Sequence, residues 1–163
     1  MQSELDAIDR AILSELQRDA RIPNVALADK VGLSPSACSR RTDALEKNGV
    51  VQGYHARLSS KALGHPIVVL VYITLDGQSE DQLNSFEAAV KLCPNVLVCY
   101  LMSGESDYLL RVAARDVEDF ERVHKEWLSK MPGVARMTSS FALREVINRP
   151  SVDVAFAQGG AGV

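Results

Sequence analysis

Apolar residues recur at helical spacing through the first third of the chain. Leucine and isoleucine lie three or four positions apart over residues 5–18, which predicts an amphipathic helix there. The same spacing predicts a second helix over residues 24–31 and a third from Pro35 to about Asn48. Together these helices would form a bundle of about 45 residues, which is short for an independent core.

The ends of the second and third helices carry residues with a backbone role. Gly32 stands where a helix C-terminus favours a left-handed residue. Ser34 is a good N-cap, and Pro35 suits the first helical position, where no N–H is needed. Gly49 ends the third helix. Two short helices joined by a tight turn are the layout that delivers a helix into a DNA major groove.

After the third helix the helical spacing of apolar residues ends, and turn-forming residues become more frequent. Residues 50–58, around Gly53, are predicted to form a short β-ribbon, either a wing or the first strand of a linker. Residues 59–66 are polar and turn-rich, and we place the domain boundary there.

The second half of the chain alternates strand and helix patterns. A β-branched run over residues 67–75 predicts a strand. The elements predicted after it are a helix over 79–92, strands over 96–102 and 108–114, a helix over 116–131 and a strand over 134–147. Their order is βαββαβ, the ferredoxin-like arrangement.

The predicted fold class is therefore α+β, a winged helix-turn-helix domain followed by a ferredoxin-like domain. The expected boundaries are residues 1–60 for the first domain with its linker strand, 61–150 for the second, and 151–163 for a tail that is mobile at its end. A ferredoxin-like sheet carries helices on one face only, so its other face predicts a dimer.

Composition and targeting signals predict a cytoplasmic protein. Of 163 residues, 47% are hydrophobic and 24% charged, as in ordinary soluble domains. No apolar run approaches the roughly 20 residues that span a bilayer, and the polar start MQSELDAIDR is unlike a secretory signal. The three cysteines include no CxxC pair, and no histidine spacing indicates a metal site, so neither a metal nor a cofactor is expected.

The net charge of −3 is not evenly distributed. Residues 1–60 hold eight basic and eight acidic side chains, and the remaining ten basic and thirteen acidic residues account for the whole excess. Phosphate contacts dominate DNA affinity, so a neutral DNA-binding unit would need dimerisation or higher assembly to hold DNA well.

Three motifs resemble the Lrp/AsnC family of transcription regulators, the feast/famine proteins that sense amino acids. They are LDxIDRxILxELQxDAR, NVxLAxxVGLSPSxC and RRxxxLExxGVVQGY, and the segment GESDYLL is similar to the family's GxxDYLL effector loop. The resemblance covers nearly the whole chain. It implies a recognition helix over residues 35–48, a ferredoxin-like (RAM-type) effector domain, and a dimer that assembles further, to an octamer.

The recognition helix has a predicted outer face. Cys38, Thr42 and Leu45 would face the bundle. The residues assigned to DNA contact are Ser34, Pro35, Ser36, Ser39, Arg40, Arg41 and Asp43. We expect Arg40 to contact a base edge or a phosphate, although a merely solvated arginine is the alternative outside this motif. The role of Arg41 is left open, since this side chain is also placed to pair with Glu46 or with a backbone carbonyl.

Two positions depart from what the family usually has. Thr42 stands where Val or Ile is usual and brings a hydroxyl to the bundle. Asp43 stands where basic or neutral residues are usual; beside DNA it would repel phosphate or accept from a cytosine amine. The operator sequence is therefore not implied by the resemblance.

The loop around Gly104 is the predicted small-molecule site. A glycine lets the backbone approach a ligand, exposed N–H groups hold a carboxylate, and the nearby Asp107 suits an α-ammonium group. The same residues also suit a plain hairpin turn; the resemblance favours the effector loop, at an interface between dimers. The residues assigned to the site are Met102, Ser103, Gly104, Asp107, Tyr108, Thr138 and Ser140.

The predicted function is sequence-specific transcription regulation with an amino-acid effector that acts through oligomeric assembly. The partners expected are double-stranded DNA, further copies of the chain and a small amino acid, and no membrane; the protein would be associated with the nucleoid. An enzyme is disfavoured because no catalytic constellation is present. An architectural DNA-compacting protein without a ligand is the alternative.

Overall fold

The computed structural model of the chain describes residues 5–149 and 151–154. The described chain divides into two compact units, one formed by residues 5–56 with 147–149 and 151–154 and the other by Arg57–Val146.

The first unit contains the three predicted helices. These are α1 (Ala7–Arg18), α2 (Asn24–Val31) and α3 (Pro35–Lys47). Helix α1 begins two residues later than its apolar pattern because Asp6 is its N-cap: the Asp6 carboxylate accepts from the Asp9 N–H at 2.8 Å, and the Asp9 carboxylate returns the interaction in a capping box.

The turn between α2 and α3 has the predicted backbone. Gly32 adopts φ 70°, a left-handed conformation that glycine takes at little cost. The Ser34 hydroxyl caps α3 by accepting from the Ala37 N–H at 3.3 Å. The helices enclose one buried cluster, whose members are Ile12, Leu13, Leu27, Ala28, Cys38 and Leu45.

The β-ribbon expected over residues 50–58 is not seen: among the described residues, this segment pairs with no strand. The N–H groups of Val50 and Val51 both donate to the Leu45 carbonyl, at 2.9 and 3.1 Å. Two donors that a hairpin would need are thus used to close the end of α3.

The second unit confirms the predicted βαββαβ order. Its elements are β1 (Ile67–Leu75), α4 (Glu80–Leu92), β2 (Val96–Leu101), β3 (Tyr108–Ala114), α5 (Val117–Glu126), a short 3₁₀ helix (Leu128–Lys130) and β4 (Val134–Phe141). The last helical pattern is therefore divided into two pieces at Trp127, and the last strand ends six residues earlier than its sequence pattern indicates.

The four strands form one antiparallel sheet in the order β2-β3-β1-β4. One face packs under α4 and α5, where Val71, Ile73, Leu110 and Val112 are fully buried. The alternate residues lie on the opposite face, which carries no helix of the unit; we call it the open face. The pairing register places there Leu70, Tyr72, Val98, Tyr100, Leu109, Arg111, Thr138 and Ser140.

The chain after β4 returns to the first unit. The Gln17 side-chain amide donates to the Ser151 hydroxyl and to the Val152 carbonyl, both at 2.8 Å, and its oxygen accepts from the Val154 N–H at 3.0 Å. Part of the expected tail is therefore held against α1; the rest of it, residues 155–163, lies outside the described residues.

No helix within the described ranges combines the length and the apolar character that crossing a bilayer requires.

Candidate DNA interface and effector loop

The outward face of α3 presents charged and hydroxyl side chains at helical spacing. The exposed residues along it are Ser36, Ser39, Arg40, Asp43 and Lys47, and together with Ala44 they line a shallow depression. The sequence prediction did not include Lys47. Its position, one turn after Asp43 and two turns after Arg40, already indicates that it lies on the same face of the helix.

The two neighbouring arginines of α3 have different surroundings. Arg40 is exposed and takes part in no ion pair among the described residues. The Arg41 guanidinium lies 2.7 Å from Asp6 Oδ2 and 2.8 Å from Asp9 Oδ1. Hydrogen bonds with these carboxylates, first Asp6 and then Asp9, raise the pKa of Arg41. Arg41 therefore ties α3 to the start of α1.

The other partner considered for Arg41 is occupied elsewhere. The Glu46 carboxylate accepts from the Tyr54 hydroxyl at 2.8 Å. Burial, followed by this hydrogen bond, raises the pKa of Tyr54 to about 12.

The first residues of α3 also have structural roles. The Ser34 hydroxyl accepts the N-cap hydrogen bond, and the Pro35 carbonyl accepts from Asn24 Nδ2 at 2.8 Å. The first interaction caps α3 and the second joins its start to α2, so these two residues position the helix whether or not they also touch DNA.

Thr42 lies where the sequence placed it, against the helical bundle. Its Oγ1 is buried and has no hydrogen-bond partner among the described residues. The expected hydroxyl is thus present in an apolar setting without compensation, which destabilises the folded state.

The structure gives Asp107 a position different from the one expected of it. The residue is buried; its Oδ2 accepts from the Leu75 N–H at 2.7 Å and its Oδ1 from Gln78 Nε2 at 2.6 Å. Its own N–H donates to the Ile73 carbonyl at 2.8 Å. The carboxylate expected to receive an α-ammonium group instead joins the effector loop to the end of β1.

Tyr108 also points into the second unit. Its ring is buried against Phe86, with the centroids 4.5 Å apart, and its hydroxyl donates to Glu87 Oε1 at 2.9 Å. Burial, with a smaller contribution from this hydrogen bond, raises the pKa of Tyr108. Tyr108 therefore holds the end of the loop against the core of the unit. Gln78 and Glu87, which the sequence prediction did not include, contribute by hydrogen bonding to Asp107 and Tyr108.

The middle of the loop is exposed. Met102, Ser103, Gly104 and Glu105 all face solvent, and the Met102 N–H donates to the Asp107 carbonyl at 2.8 Å to close the turn. Gly104 adopts φ 157°, and a Cβ there would meet no atom within 4 Å. Backbone conformation, rather than space, therefore favours glycine at this position.

Thr138 and Ser140 lie on the open face, in β4, the edge strand opposite to β2. They pair with Tyr72 and Leu70 of β1, so β1 and β3 separate them from the strand that leads into the loop. One copy of the unit does not bring these hydroxyls together with the loop. Within the described residues there is also no group of three or more His, Cys, Asp or Glu that could hold a metal ion.

Two sequence families match this chain. The family described as the Lrp/AsnC ligand binding domain matches residues 68–152, and the winged helix-turn-helix DNA-binding family matches residues 5–52. The first match covers most of the sheet unit and continues to residue 152, and the second lies within the helical unit.

Individual relatives and solved structures support the same family assignment. The chain is 41% identical over 143 residues to the leucine-responsive regulatory protein of Salmonella typhimurium, covering 88% of this chain and 87% of the relative. A transcriptional regulator from Neisseria meningitidis, solved as an L-Met complex, is 35% identical with a TM-score of 0.85, covering 91% and 96%. A feast or famine regulatory protein from M. tuberculosis, complexed with L-methionine, is 33% identical with a TM-score of 0.79, covering 91% and 98%.

A helix-turn-helix unit joined to a ligand-binding sheet unit defines a DNA-binding transcriptional regulator. The chain belongs to the Lrp/AsnC family, whose members are regulators rather than enzymes.

Proposed function

We propose that this chain binds specific DNA sequences through α3 and changes its activity when an amino acid binds at the loop after β2. The observation that carries the proposal is the outward face of α3, where Arg40 and Lys47 project from a capped helix without ion-pair partners among the described residues. Cationic side chains held in this way supply phosphate and base contacts. The site of action is chromosomal DNA in the cytoplasm.

The two arginines provide a matched test of DNA binding. A duplex selected from a random library by the unmodified protein serves as the probe, and fluorescence anisotropy measures its dissociation constant. Arg40→Ala should weaken binding about tenfold or more, as expected for loss of a base contact, with an unchanged melting temperature. Arg41→Ala should lower the melting temperature, because it frees α3 from Asp6 and Asp9. Unchanged affinity in Arg40→Ala would exclude it as a contact.

The effector proposed is an amino acid, with L-methionine and L-leucine the first to be tested. Methionine is present in two of the related structures, and leucine is in the name of a related regulator. The exposed residues Ser103 and Gly104 of this loop offer backbone N–H groups for the α-carboxylate, and the exposed Met102 side chain would form a wall of the site. Asp107 and Tyr108 hold this loop from inside, and we assign them a positioning role.

An α-ammonium group then needs another acceptor, since the Asp107 carboxylate is buried and engaged. Glu105 is the exposed carboxylate of the same loop, and we propose that it provides this charge. Thr138 and Ser140 would complete the pocket only when a further copy of the chain brings its open face close to the loop.

A thermal-shift screen against the twenty amino acids tests the effector, since a ligand that binds only the folded state raises its melting temperature. One chemical class should give a shift, which Glu105→Gln should reduce. Glu80→Gln, an exposed glutamate at the start of α4, is the control. No shift with any amino acid would contradict the proposal and favour the architectural alternative.

Self-association is the third part of the proposal. The open face exposes Tyr72 and Tyr100, with 36% and 59% of their surfaces accessible. Arg111 lies in the same face, and its buried Nε has no hydrogen-bond partner among the described residues. A second copy facing this surface would bury the aromatic rings and bring hydroxyl acceptors such as Thr138 to the guanidinium.

Sedimentation velocity with and without L-methionine tests the assembly. We expect a dimer or a larger species, an octamer included, whose distribution shifts with the effector. Tyr72→Glu should favour monomers, whereas Leu143→Glu, at a position 99% exposed outside the sheet, should not. A dimer that persists in Tyr72→Glu would exclude the open face as the interface.

A further inference from the structure

We propose that Asp43 determines sequence specificity by requiring cytosine at one base pair of each half-site. The inference rests on α3 entering the major groove, as proposed above. It concerns which base is read, and therefore goes beyond the general DNA-binding function of the fold.

Asp43 stands in the middle of the outward face of α3. Arg40 precedes it by three residues and Lys47 follows it by four, so all three side chains project to the same side of the helix. Ser39 and Ser36 lie on this side one and two turns nearer the helix start. An acidic group thus lies between two cations on the surface that would meet DNA.

These charges do not neutralise one another. Spacings of three and four residues permit ion pairs along a helix. Yet no nitrogen–oxygen distance of 4.0 Å or less joins Asp43 to Arg40 or Lys47, whereas the neighbouring Arg41 is paired with Asp6 and Asp9. In the described part of the chain, the Asp43 side chain has neither an ion pair nor a hydrogen bond. Its acceptor oxygens are available to a ligand.

A carboxylate at a DNA surface has few favourable partners. It repels phosphates, and in the major groove guanine and thymine present acceptors at their polar edges. Adenine presents one donor beside the acceptor N7, whereas cytosine presents the N4 amine as a donor with no major-groove acceptor on the same base. A single exposed carboxylate on this face therefore selects cytosine and disfavours the other bases.

The neighbouring cations support the same geometry. Three helical residues rise about 4.5 Å, which is between one and two steps of the roughly 3.4 Å base-pair spacing. Arg40 is thus placed to contact guanine O6 and N7 while Asp43 accepts from a cytosine in the same or the next base pair. Lys47, one turn further on, would contact phosphate and offset the repulsion that Asp43 introduces.

The test uses the full-length protein and duplex DNA. A random library yields a preferred sequence, and anisotropy then measures affinity for duplexes in which each position carries each of the four base pairs. For the unmodified protein, replacing one particular cytosine should weaken binding about tenfold. In Asp43→Ala this preference should fall to about twofold or less, with the other positions unchanged. Asp43→Asn should shift it towards adenine, which asparagine reads through N6 and N7.

A repulsive charge without base readout gives a different result. Asp43→Ala would then bind every duplex more tightly by the same factor, with the same preferred sequence, and the proposal would be overturned. Asp29→Ala removes the same charge from the exposed surface of α2 and controls for net charge. If the unmodified protein selected no sequence from the library, the proposed DNA-binding function itself would fail, which is a separate outcome. Circular dichroism of each variant confirms that α3 is intact.

Discussion

The carboxylate of Asp107 accepts the backbone N–H of Leu75 at 2.7 Å, across a separation of 32 residues. This hydrogen bond joins the start of β3 to the end of β1, and the Gln78 amide adds a second contact at 2.6 Å. The loop that precedes Asp107 is exposed to solvent, and these two hydrogen bonds fix its C-terminal end. A ligand bound there would meet a preorganised surface, which lowers the ordering cost of binding.

Replacing Asp107 should reduce stability even without an effector. Asp107→Ala leaves the Leu75 N–H without its acceptor, a loss that typically costs about 1–3 kcal/mol, or roughly 4 °C or more of melting temperature in a domain of this size. Asp107→Asn keeps one acceptor oxygen, so its melting temperature should lie between those of Asp107→Ala and the unmodified protein. Differential scanning fluorimetry measures the shift, with Glu105→Ala in the same loop as the control. Equal melting temperatures for Asp107→Ala and the unmodified protein would show that the buried contact is unimportant.

Replacing Thr42 should stabilise the helical unit. Thr42→Val removes a buried hydroxyl that has no partner in the described residues and keeps the side-chain shape. We expect a gain of about 1 kcal/mol from removing an unsatisfied polar group, measured by urea denaturation. Thr42→Ala is the control, because it removes the hydroxyl and also the methyl group that packs in the bundle. A loss of stability in Thr42→Val would mean that the hydroxyl has a partner in solution.

Asp119 makes stability depend on pH. Hydrogen bonds with Arg115, followed by those with Arg122, hold the pKa of its buried carboxyl well below the ordinary value. The charged form is favoured in the folded state, so its contribution is complete above the ordinary pKa, about 3.9, and is lost as pH falls further. Asp119→Asn should therefore be less stable than the unmodified protein at pH 7.

The comparison of urea midpoints at pH 7, 5 and 3 checks this sign. The difference between Asp119→Asn and the unmodified protein should narrow at pH 3, where the Asp119 carboxyl takes up a proton in the unfolded chain but stays ionised in the folded one. Glu118→Gln removes a neighbouring exposed charge from the same first turn of α5 and should show little change with pH. A difference that stays constant between pH 7 and 3 would contradict the assignment.

Gln17 should hold the chain segment that follows β4. In Gln17→Leu the Val154 N–H loses its acceptor at 3.0 Å, and the Ser151 and Val152 contacts are lost with it. Because these groups are exposed, we expect a small change in melting temperature but faster hydrogen exchange at the Val154 amide. Gln52→Leu, at an exposed glutamine of the same unit, is the control. Unchanged exchange at Val154 would mean that the contact is absent in solution.

Local chemistry made several elements readable from the sequence. Ser34, Pro35 and Gly32 fix helix ends through their own backbone and side-chain groups, and α2 has the predicted bounds. The run of β-branched residues over 67–75 likewise placed β1 correctly. The β-ribbon over residues 50–58 was wrong because two of its donors are used at the Leu45 carbonyl, a choice that periodicity does not reveal.

The sequence by itself determined the helices, the strands, their order and the outward face of α3, because each depends on residues within a few positions of one another. Only the tertiary structure decided that Arg41 pairs with α1 and that Asp107 is turned inward to β1. Both carry charges that would suit an exposed ligand site equally well. Their roles depend on donors and acceptors that are distant along the chain, and only folding brings those groups within hydrogen-bonding distance.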